Sequence, residues 1–173
     1  MLDRQTTRNQ DLKLLQIITT GGTIDKIYYD EKSDYQIGEP EIARILTDLK
    51  VAFRWQVQPL LRKDSLQLND ADRDLIRKAV EASDARHFLI THGTDTMVET
   101  ARVLQGLTDR VIVLTGALNP ARFIGSDAVF NIGCAVGAVQ ALPPGVWIIM
   151  NGQVWDPDKV RKNRKENRFE AVE

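Results

Sequence analysis

Short apolar runs alternate along this chain with longer segments in which the apolar residues follow helical spacing. The runs are rich in β-branched residues and predict five strands: Leu14–Thr20, Val51–Val57, Phe88–Thr91, Val111–Thr115 and Val146–Met150. Strands separated by helices favour a parallel sheet, because consecutive parallel strands need a crossover. We therefore expect an α/β fold: a doubly wound, mostly parallel sheet with helices on both faces, as in flavodoxin-like or Rossmann-like three-layer sandwiches.

The segments between these strands predict helices with one apolar face each. The first runs from Pro40 to Leu49, with Pro in its first turn, and its apolar face holds Ile42, Ile45, Leu46 and Leu49. The second follows the cap residue Asn69 and runs to Ala82, and its inward residues are Leu75, Ile76, Ala79 and Val80. Both helices can therefore cover a sheet.

Two further helices are predicted from their capping residues. Thr96 with Glu99 three residues later is a capping-box pattern that opens a helix to about Leu107. Ser126 is the predicted cap of the last helix, whose stripe of small and medium residues suits close packing: Ala128, Val129, Ile132, Ala135, Val136 and Val139. Cys134 lies in this helix, and we assign it to packing.

Composition limits the kind of protein this chain can be. Its 173 residues fit a single domain, 1–173, and its 23 Lys or Arg against 24 Asp or Glu give a net charge of −1. A general nucleic-acid binder would carry a positive excess, so a small polar partner is favoured. One cysteine and two histidines exclude an intramolecular disulfide and make a structural zinc site implausible, and we expect neither a metal nor another cofactor.

Both ends of the sequence are polar. Residues 1–12 form an extension without the apolar core of a secretory signal, and no run approaches the roughly 20 apolar residues that cross a bilayer. We therefore expect a cytoplasmic protein without membrane contact. The segment 151–173 is charged, with six Lys or Arg and three Glu in Lys159–Glu173. By composition this segment predicts a solvated, flexible surface.

Ligands of open α/β sheets bind beyond the carboxyl ends of the strands, so the loops after the predicted strands are where chemistry is expected. The polar residues of those loops include Thr23, Ser65, Thr94, Asp95 and Lys162. We expect these side chains to converge on one rim of the sheet.

The glycine pair after the first strand gives Thr23 a special position. Gly21 and Gly22 do not have the G-x-x-x-x-G-K-[ST] spacing of a phosphate loop. They permit a tight strand exit that presents the Thr23 hydroxyl among free backbone N–H groups, as an acyl-transfer nucleophile requires. A simple turn explains the same residues, so both interpretations stay open on this pattern alone.

The segment His92–Thr96 places two hydroxyls and a carboxylate between a buried strand and a helix amino terminus. Backbone donors and the helix dipole favour an anionic group there, although helix capping by Asp95 or Thr96 is an equal alternative. His92 directly follows a buried strand, which favours a hydrogen-bonded structural histidine over a Ser-His-Asp arrangement. A lysine such as Lys162 usually belongs to a solvated face, but beside a carboxylate in a desolvated crevice it can relay a threonine proton.

Two segments of the chain resemble the signature sequences of the bacterial-type L-asparaginases: Thr20–Ile24 and Ile90–Met97. The intervening Ser33–Gly38 and the pair Asp64-Ser65 fit the same family. The resemblance runs from about Leu14 to Phe169 and covers the family's larger amino-terminal domain. Lys162 falls where that family has its catalytic lysine.

The resemblance implies a role for each matching residue. Thr23 is the primary nucleophile, Tyr35 on a mobile loop helps to activate it, and Thr94, Asp95 and Lys162 form the second catalytic group. The substrate-binding residues that it implies are Gly22, Ser65, Gly93, Thr94 and Asp95. Ser65 and Asp95 hold the α-carboxylate and α-amino group of the substrate, and backbone amides near the two threonines stabilise the oxyanion. No metal is implied, and the direct role of Thr94 stays open.

The implied activity is an amidohydrolase that converts L-asparagine into L-aspartate and ammonia. The alternatives are an amidase for glutamine or a larger amide, and a non-catalytic α/β binding module. Usual members of the family continue into a smaller carboxyl-terminal domain. The sequence therefore resembles the short-chain, single-domain members of the family or a truncated member. Because the second domain helps to complete the site, a high Michaelis constant is expected. Phe53 and Trp55 on a predicted edge strand, with the family's habit of assembly, predict a homo-oligomer, a dimer or tetramer.

Overall fold

The computed structural model describes residues 14–29 and 34–172. Its strands are β1 (Leu15–Thr19), β2 (Lys26–Tyr29), β3 (Asp34–Ile37), β4 (Trp55–Pro59), β5 (His87–Thr91), β6 (Val111–Thr115), β7 (Gly145–Met150), β8 (Gln153–Trp155), β9 (Val160–Asn163) and β10 (Arg168–Ala171). Its helices are α1 (Glu41–Asp48), α2 (Asp70–Glu81), α3 (Met97–Leu104) and α4 (Ala128–Ala141). The predicted extension 1–12 and Ser33 lie outside the described residues.

Six strands form the central sheet in the order β4-β1-β5-β6-β7-β8. The first five are parallel, and β8 pairs antiparallel with β7. The chain starts in β1, crosses to β4 on one side and then returns to β5 on the other, so the winding reverses between β1 and β5. The α/β prediction of a doubly wound, mostly parallel sheet is confirmed, and β4 is the predicted edge strand.

Each face of the sheet packs against two helices. On one face, α2 and α3 bury Ile76, Val80, Met97 and Leu104 against alternate strand residues such as Phe88. On the other face, α1 and α4 bury a second set against the remaining strand positions: Ile42, Ile45, Leu46, Ala128, Ile132, Ala135 and Val139. Because the central strands are covered on both faces, they are mostly apolar, which is why the sequence revealed them.

The helix α2 begins as its sequence predicts. Asn69 Oδ1 accepts a hydrogen bond from Asp72 N at 3.0 Å, and Asp72 Oδ2 accepts one from Asn69 N at 3.0 Å. This reciprocal capping box satisfies two amides that the helix itself leaves without partners. Leu75, however, is 42% exposed, so its predicted inward position is wrong.

The edge strand starts later than its alternating pattern predicts. Strand β4 covers Trp55–Pro59 instead of Val51–Val57, because its pairing with β1 begins only at Leu15 opposite Trp55. Val51 and Phe53 still pack against the α1 and α4 side of the core without joining the ladder. Burial alone therefore produced the alternation that suggested a strand.

Helix α1 is shorter than predicted at both ends. Pro40 stands at its cap position and Leu49 lies beyond its last turn, 55% exposed rather than on the apolar face. Helix α4 shows one similar difference, since Val129 of the predicted inward stripe is 47% exposed. Cys134 is half-buried and packs against the α1 and α4 side of the core, in line with its packing assignment.

The predicted capping box at Thr96 is wrong. Helix α3 begins at Met97, and the Thr96 hydroxyl donates to the carbonyl of Ser65 at 2.8 Å instead of capping the helix. The helix also ends at Leu104 rather than Leu107, because Gln105 has a non-helical ψ of 151° and Gly106 has a φ of 89°. A long-range contact thus replaced the local one that the sequence suggested.

The start of α4 involves Ser126 in a different way from that predicted. Asp127 occupies the cap position, while Ser126 Oγ accepts a hydrogen bond from Ala128 N at 3.1 Å. With 14 residues α4 is the longest helix described, and no helix within the described ranges has the length and apolar content of a membrane span.

The charged carboxyl-terminal segment is not the flexible surface that its composition predicts. It folds back as the β9–β10 hairpin, in which Phe169 pairs with Lys162. Val160 is fully buried and Phe169 is 8% exposed, and both belong to the core on the α2 and α3 side. Two apolar residues thus anchor a segment whose remaining side chains are mostly polar, and they bring Lys162 close to α3.

Candidate active site

The candidate site lies where the winding of the sheet reverses, between β1 and β5. Loops that leave the carboxyl ends of strands at such a point diverge and leave a crevice between them. The loop after β1 carries Thr23, the loop after β5 carries Thr94 and Asp95, and Ser65 follows β4. Topology therefore directs all three loops to one edge of the sheet.

Glycines allow these loops to touch through their backbones. A Cβ atom on Gly22 would lie 2.5 Å from Cα of Gly93, and one on Gly93 would lie 2.6 Å from Cβ of Ser65. Gly21 and Gly22 also have φ angles of 93° and 92°, which L side chains rarely adopt. The predicted tight exit from β1 is confirmed, and it serves to stack three loops on one another.

Hydrogen bonds fix the same loops at their bases. The amide and the hydroxyl of Thr20 both donate to the carbonyl of Thr91, at 3.1 and 2.9 Å. The amide of Lys63 donates to the carbonyl of Thr20 at 3.1 Å, which ties the loop after β4 to the loop after β1. The loops after β1, β4 and β5 are therefore joined to one another where they leave the sheet.

Thr23 opens a short 3-10 turn, Thr23–Asp25, directly after the glycine pair. Thr23 itself is half-buried, whereas the next residue, Ile24, is fully buried and its carbonyl accepts the amide of Ala121 at 3.1 Å. Among the described residues, the Thr23 hydroxyl has no hydrogen-bond partner. The turn is anchored from below, and its first hydroxyl is left available.

Lys162 reaches Thr94 from the carboxyl-terminal hairpin. Its Nζ donates to Oγ1 of Thr94 at 3.2 Å and to Oδ1 of Asn167 at 2.8 Å, and it lies 5.3 Å from the ring centre of Phe169. Partial burial lowers the pKa of the Lys162 amine, while the carboxylates of Asp95 and Asp127 oppose that shift. The structure thus brings Thr94 and Lys162 together with Asp95 in one cluster.

Tyr35 lies on β3, opposite Tyr28 of β2, in a hairpin outside the central sheet. It is 46% exposed, and its ring contacts those of Tyr28 at 5.3 Å and Phe123 at 6.1 Å between centroids. Within the described residues no hydrogen bond joins its hydroxyl to Thr23. Within the described part of the chain, Tyr35 therefore makes no hydrogen bond to another assigned catalytic residue, and neither does the Thr23 hydroxyl.

His92 is a structural residue, as its place after a buried strand predicts. Its Nε2 is 2.8 Å from the Thr100 hydroxyl and its Nδ1 is 2.7 Å from the carbonyl of Gly93. Complete burial lowers its pKa to about 4, so the ring is neutral near pH 7. The ring holds the loop after β5 against α3 from inside the protein.

Three residues near the cluster were not identified from the sequence. Asn167 accepts a hydrogen bond from the Lys162 amine, the ring of Phe169 lies beneath that amine, and the charge of Asp127 raises the pKa of the amine. The signal for Asn167 is its φ of 47°, since asparagine tolerates the left-handed turn that a hairpin tip needs. The other two depend on contacts between segments distant in sequence.

A family profile described as "Asparaginase, N-terminal" matches residues 14–173. The chain belongs to the asparaginase family. It is 31% identical to L-asparaginase 2 of Escherichia coli over 163 residues, which are 86% of this chain and 46% of that protein. It is also 31% identical to a glutamyl-tRNA(Gln) amidotransferase subunit of Methanococcus vannielii, over 86% of this chain and 37% of that one.

Solved structures of the asparaginase family share the fold. The thermostable L-asparaginase of Thermococcus kodakarensis superposes with a TM-score of 0.81 at 23% identity, covering 92% of this chain and 51% of that one. A probable cytoplasmic L-asparaginase of Campylobacter jejuni gives 0.80 at 27% identity, with 92% and 53% covered. The chain therefore spans about half the length of these family members.

Proposed function

We propose that this chain is an amidohydrolase that converts L-asparagine and water into L-aspartate and ammonia, without a metal or other cofactor. The observation that carries the proposal is the contact of 3.2 Å between Lys162 Nζ and Thr94 Oγ1, beside Asp95 and at the same edge of the sheet as Thr23. A lysine held against a hydroxyl in a partly desolvated crevice is suited to moving a proton.

In the proposed first step, the Thr23 oxygen attacks the carbon of the substrate amide. A carbon–oxygen bond forms, negative charge develops on the amide oxygen, and backbone N–H groups near Thr23 and Thr94 receive that charge. The carbon–nitrogen bond then breaks, and the nitrogen leaves as ammonia after taking up the hydroxyl proton. Tyr35 assists the loss of that proton, which requires the β2–β3 hairpin to bring its hydroxyl closer to Thr23.

The second step returns the enzyme to its starting state. Water adds to the acyl group on Thr23, the bond between the acyl carbon and the Thr23 oxygen breaks, and one proton of the water restores the Thr23 hydroxyl. The second proton passes through Thr94 to Lys162, whose pKa burial lowers, and then to solvent, which leaves the product as a carboxylate. Asp95 stabilises the ammonium form of Lys162 until that proton is released.

Ser65 and Asp95 are proposed to fix the α-carboxylate and the α-amino group of the substrate. Ser65 is 2% exposed and packs directly under Gly93, so its position is well defined. The carboxylate of Asp95 is the natural partner of an ammonium group. A substrate held at both groups presents its side-chain amide to Thr23.

The experiment that tests the proposal is a coupled ammonia assay with purified protein. Asparagine, glutamine and a peptide with an internal asparagine are compared at equal concentrations, with Thr23→Ala as the inactive control. The proposal expects ammonia from asparagine, less from the other amides, and none above background from the variant. Equal rates with all three amides would favour a general amidase, and no ammonia from any of them would favour a non-catalytic module.

A second candidate is suggested by the likeness to the Methanococcus vannielii protein, whose name describes amidotransfer on glutamyl-tRNA(Gln). In that case the same hydrolysis would supply ammonia to a partner protein. If the isolated chain releases ammonia as fast as it does with a partner protein and its tRNA present, the asparaginase proposal is favoured. If adding the partner and its tRNA raises the rate of ammonia release strongly, the amidotransferase candidate is favoured.

Self-association into a dimer or tetramer is part of the proposal. Its support is the edge strand β4, where Trp55 and Val57 are only half-buried. Light scattering is expected to show an assembly larger than the 19.5 kDa chain. A single species of that mass would contradict it.

A further inference from the structure

Asp25 is a buried carboxyl group that the proposed reaction does not use. It is 2% exposed and is the third residue of the 3-10 turn that begins with Thr23. Although it lies only two residues after Thr23, its side chain is directed into the protein, toward the start of α1. A buried carboxyl group is costly to maintain, so its contacts indicate what it does.

The backbone of Asp25 closes the hairpin that carries Tyr35. Its carbonyl accepts the amide of Gly38 at 2.7 Å, immediately outside the last pair of the ladder, Lys26 opposite Ile37. A two-stranded hairpin alone is only marginally stable in water, so its geometry depends on how its base is held. The position of Tyr35 therefore depends on where the turn holds the carbonyl of residue 25.

The side chain of Asp25 serves a different element, the start of α1. Pro40 stands at the cap position of that helix and its side chain offers no hydrogen-bond acceptor. Asp25 Oδ1 accepts the amide of Glu41 at 2.9 Å, from 16 residues earlier in the chain. The carboxyl group thus replaces the local cap that the sequence of α1 lacks.

The charged side chains around Asp25 largely form ion pairs with one another. The buried carboxylate of Glu41 binds Arg44 at 2.7 Å and Arg122 at 2.6 Å, and Arg62 binds Glu39 at 2.6 Å. Burial and the charge of Glu41 raise the pKa of Asp25 to about 7, against the amide of Glu41 and the charge of Arg62, which lower it. At neutral pH a large fraction of the Asp25 side chains is therefore uncharged and acts as a hydrogen-bond acceptor.

We propose that Asp25 is a positioning residue, which fixes the turn bearing Thr23 to the base of the hairpin bearing Tyr35 and to the first amide of α1. This role rests on the proposed function of Thr23 as nucleophile. Asp25 touches neither substrate nor reacting atoms in this scheme. It acts by holding two elements of the site in register with each other.

The test compares Asp25→Asn and Asp25→Ala with the control Ile45→Val. Asparagine keeps the acceptor oxygen, alanine removes it, and Ile45 is a buried residue of α1 that carries no polar side-chain atom. We expect Asp25→Ala to lower kcat by about tenfold or more with KM within about threefold of wild type, because the substrate-fixing groups lie on other loops. Asp25→Asn is expected to keep kcat within about threefold, as is Ile45→Val.

Hydrogen exchange of the Gly38 and Glu41 amides, followed by NMR, gives a readout that does not need activity. Both amides are expected to exchange faster in Asp25→Ala but not in Ile45→Val. The Glu41 amide loses its acceptor, and the Gly38 amide loses protection because the turn that carries its backbone acceptor is no longer tied to α1. Unchanged exchange, an unchanged kcat in an active Asp25→Ala, or equal loss in Asp25→Asn and Asp25→Ala would each overturn the positioning role. A wild-type protein that releases no ammonia would overturn the proposed function instead, and the exchange rates would still decide whether Asp25 holds the two elements.

Discussion

The hydroxyl of Thr23 sits on an anchored turn but contributes little to the packing below it. Thr23→Ala is therefore expected to lower turnover of asparagine by roughly three orders of magnitude or more, while the melting temperature changes little. Thr23→Ser should keep part of the activity, since it retains a hydroxyl. Steady-state kinetics and thermal melts measure both effects.

The control for Thr23 is Thr47→Ala. Thr47 is an exposed residue of α1 whose hydroxyl donates to the carbonyl of Ala43, at 2.8 Å. Loss of the Thr47 hydroxyl should leave kcat unchanged. A Thr23→Ala protein that keeps more than about a tenth of wild-type turnover would show that the nucleophile lies elsewhere.

Lys162 differs from the other lysines of its segment in burial and in contacts. Because burial lowers the pKa of its amine, kcat is expected to rise with pH and to level off below the usual lysine value of 10.5. Lys162→Met should remove most turnover with little change in stability. The measurement is kcat against pH, together with melting curves.

Lys159 and Lys165 provide matched controls for Lys162. Both are exposed and carry the same charge in the same segment. Lys159→Met and Lys165→Met should leave kcat close to wild type. Equal effects from all three lysines would mean that the segment acts through its overall charge.

At the level of elements, the contact between the loops after β4 and β5 depends on the absence of a side chain at Gly93. Gly93→Ala would place a methyl group 2.6 Å from Cβ of Ser65, so the loops must separate. We expect a loss of at least about tenfold in kcat/KM and a lower melting temperature.

Gly137→Ala is the control for Gly93→Ala. Gly137 lies within α4, where an added Cβ meets no atom within 4 Å. Alanine is about 1 kcal/mol more favourable than glycine in a helix. This variant should melt at a higher temperature with unchanged kcat/KM. Similar losses at both positions would argue against the loop contact as the cause.

The elements that the sequence did not predict are those held by partners rather than by their own pattern. Strands β2, β3, β9 and β10 are four residues long and lie outside the central sheet, and each pairs with its neighbour in a hairpin. In the carboxyl-terminal hairpin only Val160 and Phe169 are buried. Two apolar residues among charged ones are too weak a signal to distinguish a hairpin from a solvated tail.

For the whole molecule, the buried side chains of Asp25 and His92 make the free energy of unfolding depend on pH in opposite directions. The pKa of Asp25 is raised from 3.8 to about 7, so the folded state holds its proton more tightly and Asp25 lowers stability as pH rises across that range. The pKa of His92 is lowered from 6.5 to about 4, so the unfolded state takes up that proton first and His92 lowers stability as pH falls across its range. The two effects largely offset each other in the wild type.

Asp25→Asn is expected to remove one of these effects. Between about pH 4.5 and about pH 7.5, the free energy of unfolding of the variant should rise relative to wild type by on the order of 3 kcal/mol. Urea denaturation at several pH values measures the difference. Parallel pH dependences in the two proteins would mean that Asp25 is not the group that holds the extra proton.

The sequence by itself determined the parallel sheet and the loops that carry the chemistry. The central strands are buried on both faces, so they are mostly apolar, and the glycine pair after β1 permits a sharp exit. These signals are local, because burial and backbone conformation impose them residue by residue. They sufficed to place Thr23, Ser65 and Thr94 at one edge of the sheet.

The tertiary structure alone decided the contacts between distant segments. Thr96 bonds the carbonyl of Ser65 rather than capping its own helix, Asp25 caps a helix 16 residues away, and Phe169 brings Lys162 to Thr94. Each of these arrangements satisfies a polar group or buries a ring with a partner that is remote in sequence. A local pattern contains no information about such a partner, because only the folded chain brings the two together.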